Sequence, residues 1–204
     1  MKARKVTGLD PDGTLADNVA RIVLTRLDEL CAFMPRAEDP EEVEALHDMR
    51  IAAKRLRYIL ELHHGNFGPY AADAAKRAKQ LQSVIGEIHD CDVTIPRVGE
   101  LLDEARRADI AAIRARAAGQ DDIEPALAAA TPHAEAYQGL EAMRSYLQAR
   151  RELLFEGFLR TWLELQREGF RPRLEFALGE RPATITPSSQ DGNVAREEPH
   201  LPSG

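Results

Sequence analysis

Apolar residues in this chain recur three and four positions apart, and no segment alternates apolar with polar. A repeat near 3.6 residues buries one stripe of a helix, whereas a strand needs a period of two. The chain is therefore expected to pack helix on helix. Val19, Ile22, Val23, Leu27 and Leu30 set the pattern in a first segment, about Leu15 to Met34, closed by Pro35. A second opens near Asp39, with Pro40 at its first position and Glu41 and Glu42 in its first turn, and stops around Gly65. A third follows Gly68-Pro69 to about Ile88 and buries Leu81, Val84, Ile85 and Ile88. A fourth begins near Asp92 and Thr94, tolerates Pro96 in its first turn and continues through Val98, Leu101, Leu102, Ala105 and Ile113. Gly119 to Pro132 reads as a polar connection with a short helix at Pro125 to Ala130. The fifth segment, about Ala134 to Glu168, carries the stripe Leu140, Met143, Leu147, Leu154, Phe158, Trp162 and Leu165. The expected fold is an all-α bundle of about five helices over residues 9–178. A flexible N-terminus, 1–8, precedes it. A disordered tail, 179–204, follows, rich in Pro, Ser and Gly and almost free of large apolar side chains.

The chain is 204 residues long, 44% hydrophobic and 30% charged, which suits one domain with a real core. No run approaches the roughly 20 apolar residues of a membrane span. MKARKVTGLD lacks the apolar centre of a signal peptide. Cys31 and Cys91 show no framework spacing, so reduced thiols and a cytoplasmic location are expected.

The formal charge is -7, yet from Arg50 to Lys79 seven Lys or Arg stand against two acids, Glu61 and Asp73. The positive charge is organised. Set at about 100° per residue, LHDMRIAAKRLRYILEL (Leu46 to Leu62) splits into two faces. His47, Arg50, Lys54, Arg57 and Tyr58 share one arc, with Arg55 off it. Met49, Ala52, Ala53, Leu56, Ile59 and Leu60 lie opposite. Lys76 and Lys79 add two cations one turn apart on the third segment. Such a face is commonly a solvated one with i,i+4 pairs, but here only Glu61 is at hand on the same helix. Either acids from another helix or an anionic ligand must neutralise the rest. On the fifth segment, Arg150 or Arg151 is placed to face the same site.

Other motifs have plainer readings. In GEIHDCDV (Gly86 to Val93), Gly86 is placed to close the third helix and Asp90 or Asp92 to cap the fourth. A sharper reading makes His89 and Asp90 metal ligands of an HD-type phosphohydrolase, with His47 or His63/His64 completing the set. Metal sites need three or four converging ligands, and no later Asp-bearing motif supplies them. LDPDGTLADN (Leu9 to Asn18) looks like the DxDGT loop of haloacid-dehalogenase-type phosphotransferases. That chemistry needs a buried strand just before the loop, and MKARKVTG is not one. Asp12, Thr14 or Asp17 as turn and cap residues fits better. P-loop, GxSxG and HExxH patterns are missing, so no catalytic residue, metal or cofactor is assigned.

HDMRIAAKRLRYILEL followed by LQSVIGEIHDCDV resembles the CHAD family, the conserved histidine α-helical domain. The family pattern, HxxR-x3-[KR]-R-x-R and then Gly-x-x-[RH]-Asp-x-Asp-Val, falls on His47, Arg50, Lys54, Arg55 and Arg57, then Gly86, His89, Asp90, Asp92 and Val93. The resemblance runs in order from about Leu9 to Phe176. It implies an all-helical bundle that binds inorganic polyphosphate without chemistry of its own. His47, Arg50, Lys54, Arg55, Arg57, Lys76 and Lys79 would meet the polymer, and Tyr58, His89, Asp90 and Asp92 would support them. His47 would either bond phosphate or orient an arginine; the two Asp would hold arginines or cap a helix. Members commonly carry two repeats about a pseudo-twofold. This chain shows one, and a homodimer is the simplest way to supply the other. Association with polyphosphate granules is among the roles this leaves open. Low aromatic content and an acidic remainder argue against nucleic acid.

Overall fold

The computed structural model describes residues 2–180, and among them helices are joined by turns and loops without a strand. The elements are α1 (Leu15–Cys31), the single turn α2 (Met34–Ala37), α3 (Val43–His63), α4 (Tyr70–Arg116), the single turn α5 (Ala126–Ala129), α6 (Ala136–Arg167) and α7 (Phe170–Gly179). A 3-10 turn, His64–Asn66, closes α3. Among the described residues no helix is long and apolar enough to cross a membrane.

Five of these helices have ten residues or more, but the chain divides differently from its sequence pattern. The third and fourth segments are one helix of 47 residues. Gly86 does not end a helix, and neither Asp90 nor Asp92 caps one; all three lie inside α4. Pro96 also lies inside it. Proline has no N–H to give the carbonyl of Asp92, and the helix continues because its flanks pack on other helices. The Thr94 hydroxyl donates to the Asp90 carbonyl, 2.6 Å away, in the same turn. Pro35 is the second residue of α2, and Pro40 sits in a turn ahead of α3, where the Asp39 carboxylate accepts from the Glu41 N–H at 2.9 Å. The fifth long helix is α7, set off from α6 by Gly169 at φ 69, a left-handed conformation that favours glycine. The expected tail begins at Gly179, which ends α7; beyond residue 180 it lies outside the described residues.

The main core lies where α1, α3, the first half of α4, the second half of α6 and α7 converge. Leu27, Leu30, Leu46, Met49, Leu56, Leu60, Leu81, Ile85, Ile88, Phe158 and Leu174 are fully buried there. Each such side chain contributes about 1.5–3 kcal/mol of transfer free energy. Beyond Cys91, α4 and α6 run on together as an antiparallel hairpin. Its own small cluster holds Cys91, Val98, Leu102 and Leu147, flanked by Ile95, Tyr137, Leu140 and Leu154. Met143 and Leu101, expected in the core stripes, are 46% and 38% exposed on this hairpin.

The leader is not free at Arg4. Its N–H donates to Glu29 Oε1 at 3.3 Å, and Arg26 Nη1 donates to its carbonyl at 3.1 Å. Before α1, Asp10 and Asn18 close the turn through the Asp10 backbone, and Thr14 is the N-cap, accepting from the Asp17 N–H at 3.1 Å. The DxDGT-like loop is thus a turn and a helix cap.

Candidate functional site

α3 and α4 run antiparallel, and their facing turns place the two sequence motifs against each other. The rings of His47 and His89 meet with centroids 4.6 Å apart, tilted by 44°. One turn along, Arg50 lies against Gly86, where a Cβ would stand 3.4 Å from its Nε. Further on, Arg57 Nη1 donates to Gln82 Oε1 at 3.3 Å. On α4 the residues His89, Gly86, Gln82 and Lys79 follow at helical spacing down one face, and ten residues of rise make that face about 15 Å long. Lys54 and Arg57 stand over the half-exposed Tyr58 ring, at 5.7 and 5.2 Å from its centroid. These contacts are cation–π contacts at a wet site, each worth about 0.5–1 kcal/mol.

The cations differ in what neutralises them. Arg55 turns inward: its Nη1 binds Glu29 Oε1 at 2.9 Å, and Glu29 is 1% exposed and also holds Arg26 at 2.6 Å. The structure therefore gives Arg55 a place in the packing, away from the row. Arg57 is bonded to Glu61 at 2.7 Å, and this hydrogen bond raises its hold on its proton against the opposing effect of burial. Lys76 pairs with Asp73 at 3.0 Å on an open surface. His47, Arg50, Lys54 and Lys79 make no ion pair with any carboxylate among the described residues.

Two buried nitrogens in the row lack partners, His47 Nδ1 and Arg50 Nε. Inside the fold His47 Nδ1 meets neither a donor nor an acceptor among the described residues. With Nε turned inward, Arg50 meets solvent through its two terminal nitrogens, the end-on fork that suits phosphate oxygens.

The acidic half of the motif splits too. Asp92 binds Arg151 of α6, which also donates to the Pro40 carbonyl at 2.7 Å and ties α6 to the start of α3. Asp90 is exposed, and its backbone carbonyl accepts from the Thr94 hydroxyl. Arg150 points to Glu87, 2.6 Å away, and to Cys91 Sγ at 3.5 Å. The His89-Asp90 pair gains no further metal ligand: among the described residues no group of three His, Cys, Asp or Glu side chains is placed to hold a metal ion.

Sequence reasoning missed one polar cluster, at the far end of the hairpin. Buried Asp109 accepts from His133 Nδ1 at 2.7 Å, from the His133 N–H at 3.2 Å and from Tyr137 Oη at 2.7 Å. Burial pushes its carboxyl up, but the hydrogen bonds from Tyr137, His133 and Thr131 outweigh it and hold the pKa at about 2. No spacing signal joins Asp109 to residues 24 and 28 positions away.

The model of the CHAD domain family matches residues 3–99. Comparisons with curated proteins and with solved structures give no match. The matched stretch contains α1, α3 and α4 as far as Gly99, and so every member of the row; outer α4, α6 and α7 lie beyond it. Over residues 3–99, a little under half of its length, the chain is similar to the CHAD domain family.

Proposed function

We propose that the chain binds inorganic polyphosphate, without transforming it, along the row between α3 and α4. The observation that supports this is the set His47, Arg50, Lys54 and Lys79: aligned on facing turns of a net acidic chain, with no carboxylate paired to them among the described residues. Like charges one turn apart cost a few tenths of a kcal/mol in a bare helix. A chain of phosphates relieves that repulsion. It offers acceptors at every unit and no bases to read, which matches a row of donors with few stacking surfaces. Arg57 and Lys76 join at the far end, where the polymer competes with Glu61 and Asp73. A second copy of the chain is part of the proposal, supplying the repeat that family members commonly carry in one chain.

Titration calorimetry with long-chain polyphosphate tests the reading. Reversing both Arg50 and Lys54 to Glu removes two charge-assisted contacts of about 1.5–3 kcal/mol each, a hundredfold loss or more. The variant should keep its helical circular dichroism, because neither side chain holds an internal carboxylate. Unchanged affinity in that variant sinks the site. Light scattering with and without the polymer tests the second copy, and equal competition by duplex DNA would replace polyphosphate as the specific ligand.

A further inference from the structure

Gly86 lies in the middle of α4 with ordinary helical geometry, since the glycines with positive φ are Gly8, Gly119 and Gly169. It neither ends the helix nor needs a backbone that other residues avoid. Glycine in a helix interior is nonetheless a poor choice compared with alanine. What the position does have is a neighbour: the nearest atom to a Cβ built there is Arg50 Nε, at 3.4 Å, and nothing else comes within 4 Å. That nitrogen is buried and without an acceptor.

We infer that Gly86 is a positioning residue for anion binding: the missing side chain leaves a notch in α4 that seats the Arg50 guanidinium flat against the helix and aims its terminal nitrogens outward. This rests on the polyphosphate reading above. Arginine is among the side chains with most rotamer freedom to lose. A guanidinium held in the notch has surrendered much of it before the ligand arrives, so less is lost on binding. A methyl group at position 86 stands at the inner edge of ordinary contact with Nε. The helix accepts it, but it fills the notch beside the stem of the guanidinium, so Arg50 can settle no closer to α4 and its seat is shallower.

A double-mutant cycle on the full chain tests this, with Arg50→Ala, Gly86→Ala and both together, titrated with long-chain polyphosphate at several salt concentrations. Gly86→Ala should raise the melting temperature, because the helix gains a better former, yet weaken binding at least threefold. The salt dependence should become shallower by about one released ion, as one contact is lost. In the Arg50→Ala background the same glycine substitution should change affinity by less than twofold. Native-like affinity for Gly86→Ala, or an equal loss in both backgrounds, overturns the inference and leaves the row as the binding site. Native-like affinity for Arg50→Ala overturns the inference together with the site.

Discussion

Lys54 and Arg55 are adjacent in sequence and have opposite surroundings. Lys54 stands exposed over Tyr58, while Arg55 is drawn to a carboxylate that is 1% exposed. A buried ion pair is expensive to form, and removing one member strands the other at about 3–5 kcal/mol. Glu29 is the centre of that group, facing Arg26, Arg55 and the Arg4 N–H. Chemical denaturation of Glu29→Ala should therefore show a loss in that range, and Arg55→Ala a smaller one. Neither should alter polyphosphate affinity in the folded protein by more than twofold, whereas Lys54→Ala should weaken it without changing stability. A loss of affinity in Arg55→Ala equal to that in Lys54→Ala would return Arg55 to the row. The sequence showed Arg55 off the main arc of α3, which was a real signal. The identity of its partner was not legible, because Glu29 is 26 residues away on another helix and its burial depends on the packing of α1 against α3.

At the scale of elements, periodicity located the helices well and their boundaries poorly. α3 was readable because its polar and apolar faces are cleanly separated. α4 was divided by local signals that lost to tertiary packing: a glycine, two aspartates and a proline in eleven residues look like a stop and a start. α7 was hidden because Phe170, Leu174, Ala177 and Leu178 form too short a stripe to stand out. The hairpin end shows how a connection without periodicity is still fixed. Asp109 accepts from the His133 backbone and side chain and from Tyr137, tying the 117–135 connection to α4 and α6. Its carboxyl titrates at about 2 in place of the ordinary 3.8, so the clasp contributes stability above pH 3.8 and loses it as pH falls towards 2. Hydrogen exchange of residues 117–135 should accelerate across that window. Asp109→Asn should show fast exchange already at neutral pH, with no further change on acidification. Protection that is indifferent to both acid and the substitution would mean that the clasp does not hold the connection.

Over the whole molecule, stability is unevenly distributed. The main core joins six helices, the short α2 included, whereas outer α4 and α6 share a cluster of four buried residues with Asp109 at its far end. Segments with little buried apolar area open more readily than those crossing the core. Amides of α4 beyond about Leu102, and of α6 before about Leu147, should exchange through a sub-global opening, while those of α3 and of α4 near Ile85 should wait for global unfolding. The proposed ligand separates the two regions further. A polymer bound across α3 and inner α4 stabilises only states in which those helices are paired, so its effect follows the row and not the hairpin. Saturating polyphosphate should slow exchange in residues 47–58 and 79–89 and leave residues 103–145 unchanged. Protection gained chiefly in the hairpin would place the anion site outside the family-matched stretch and away from His47 and Arg50.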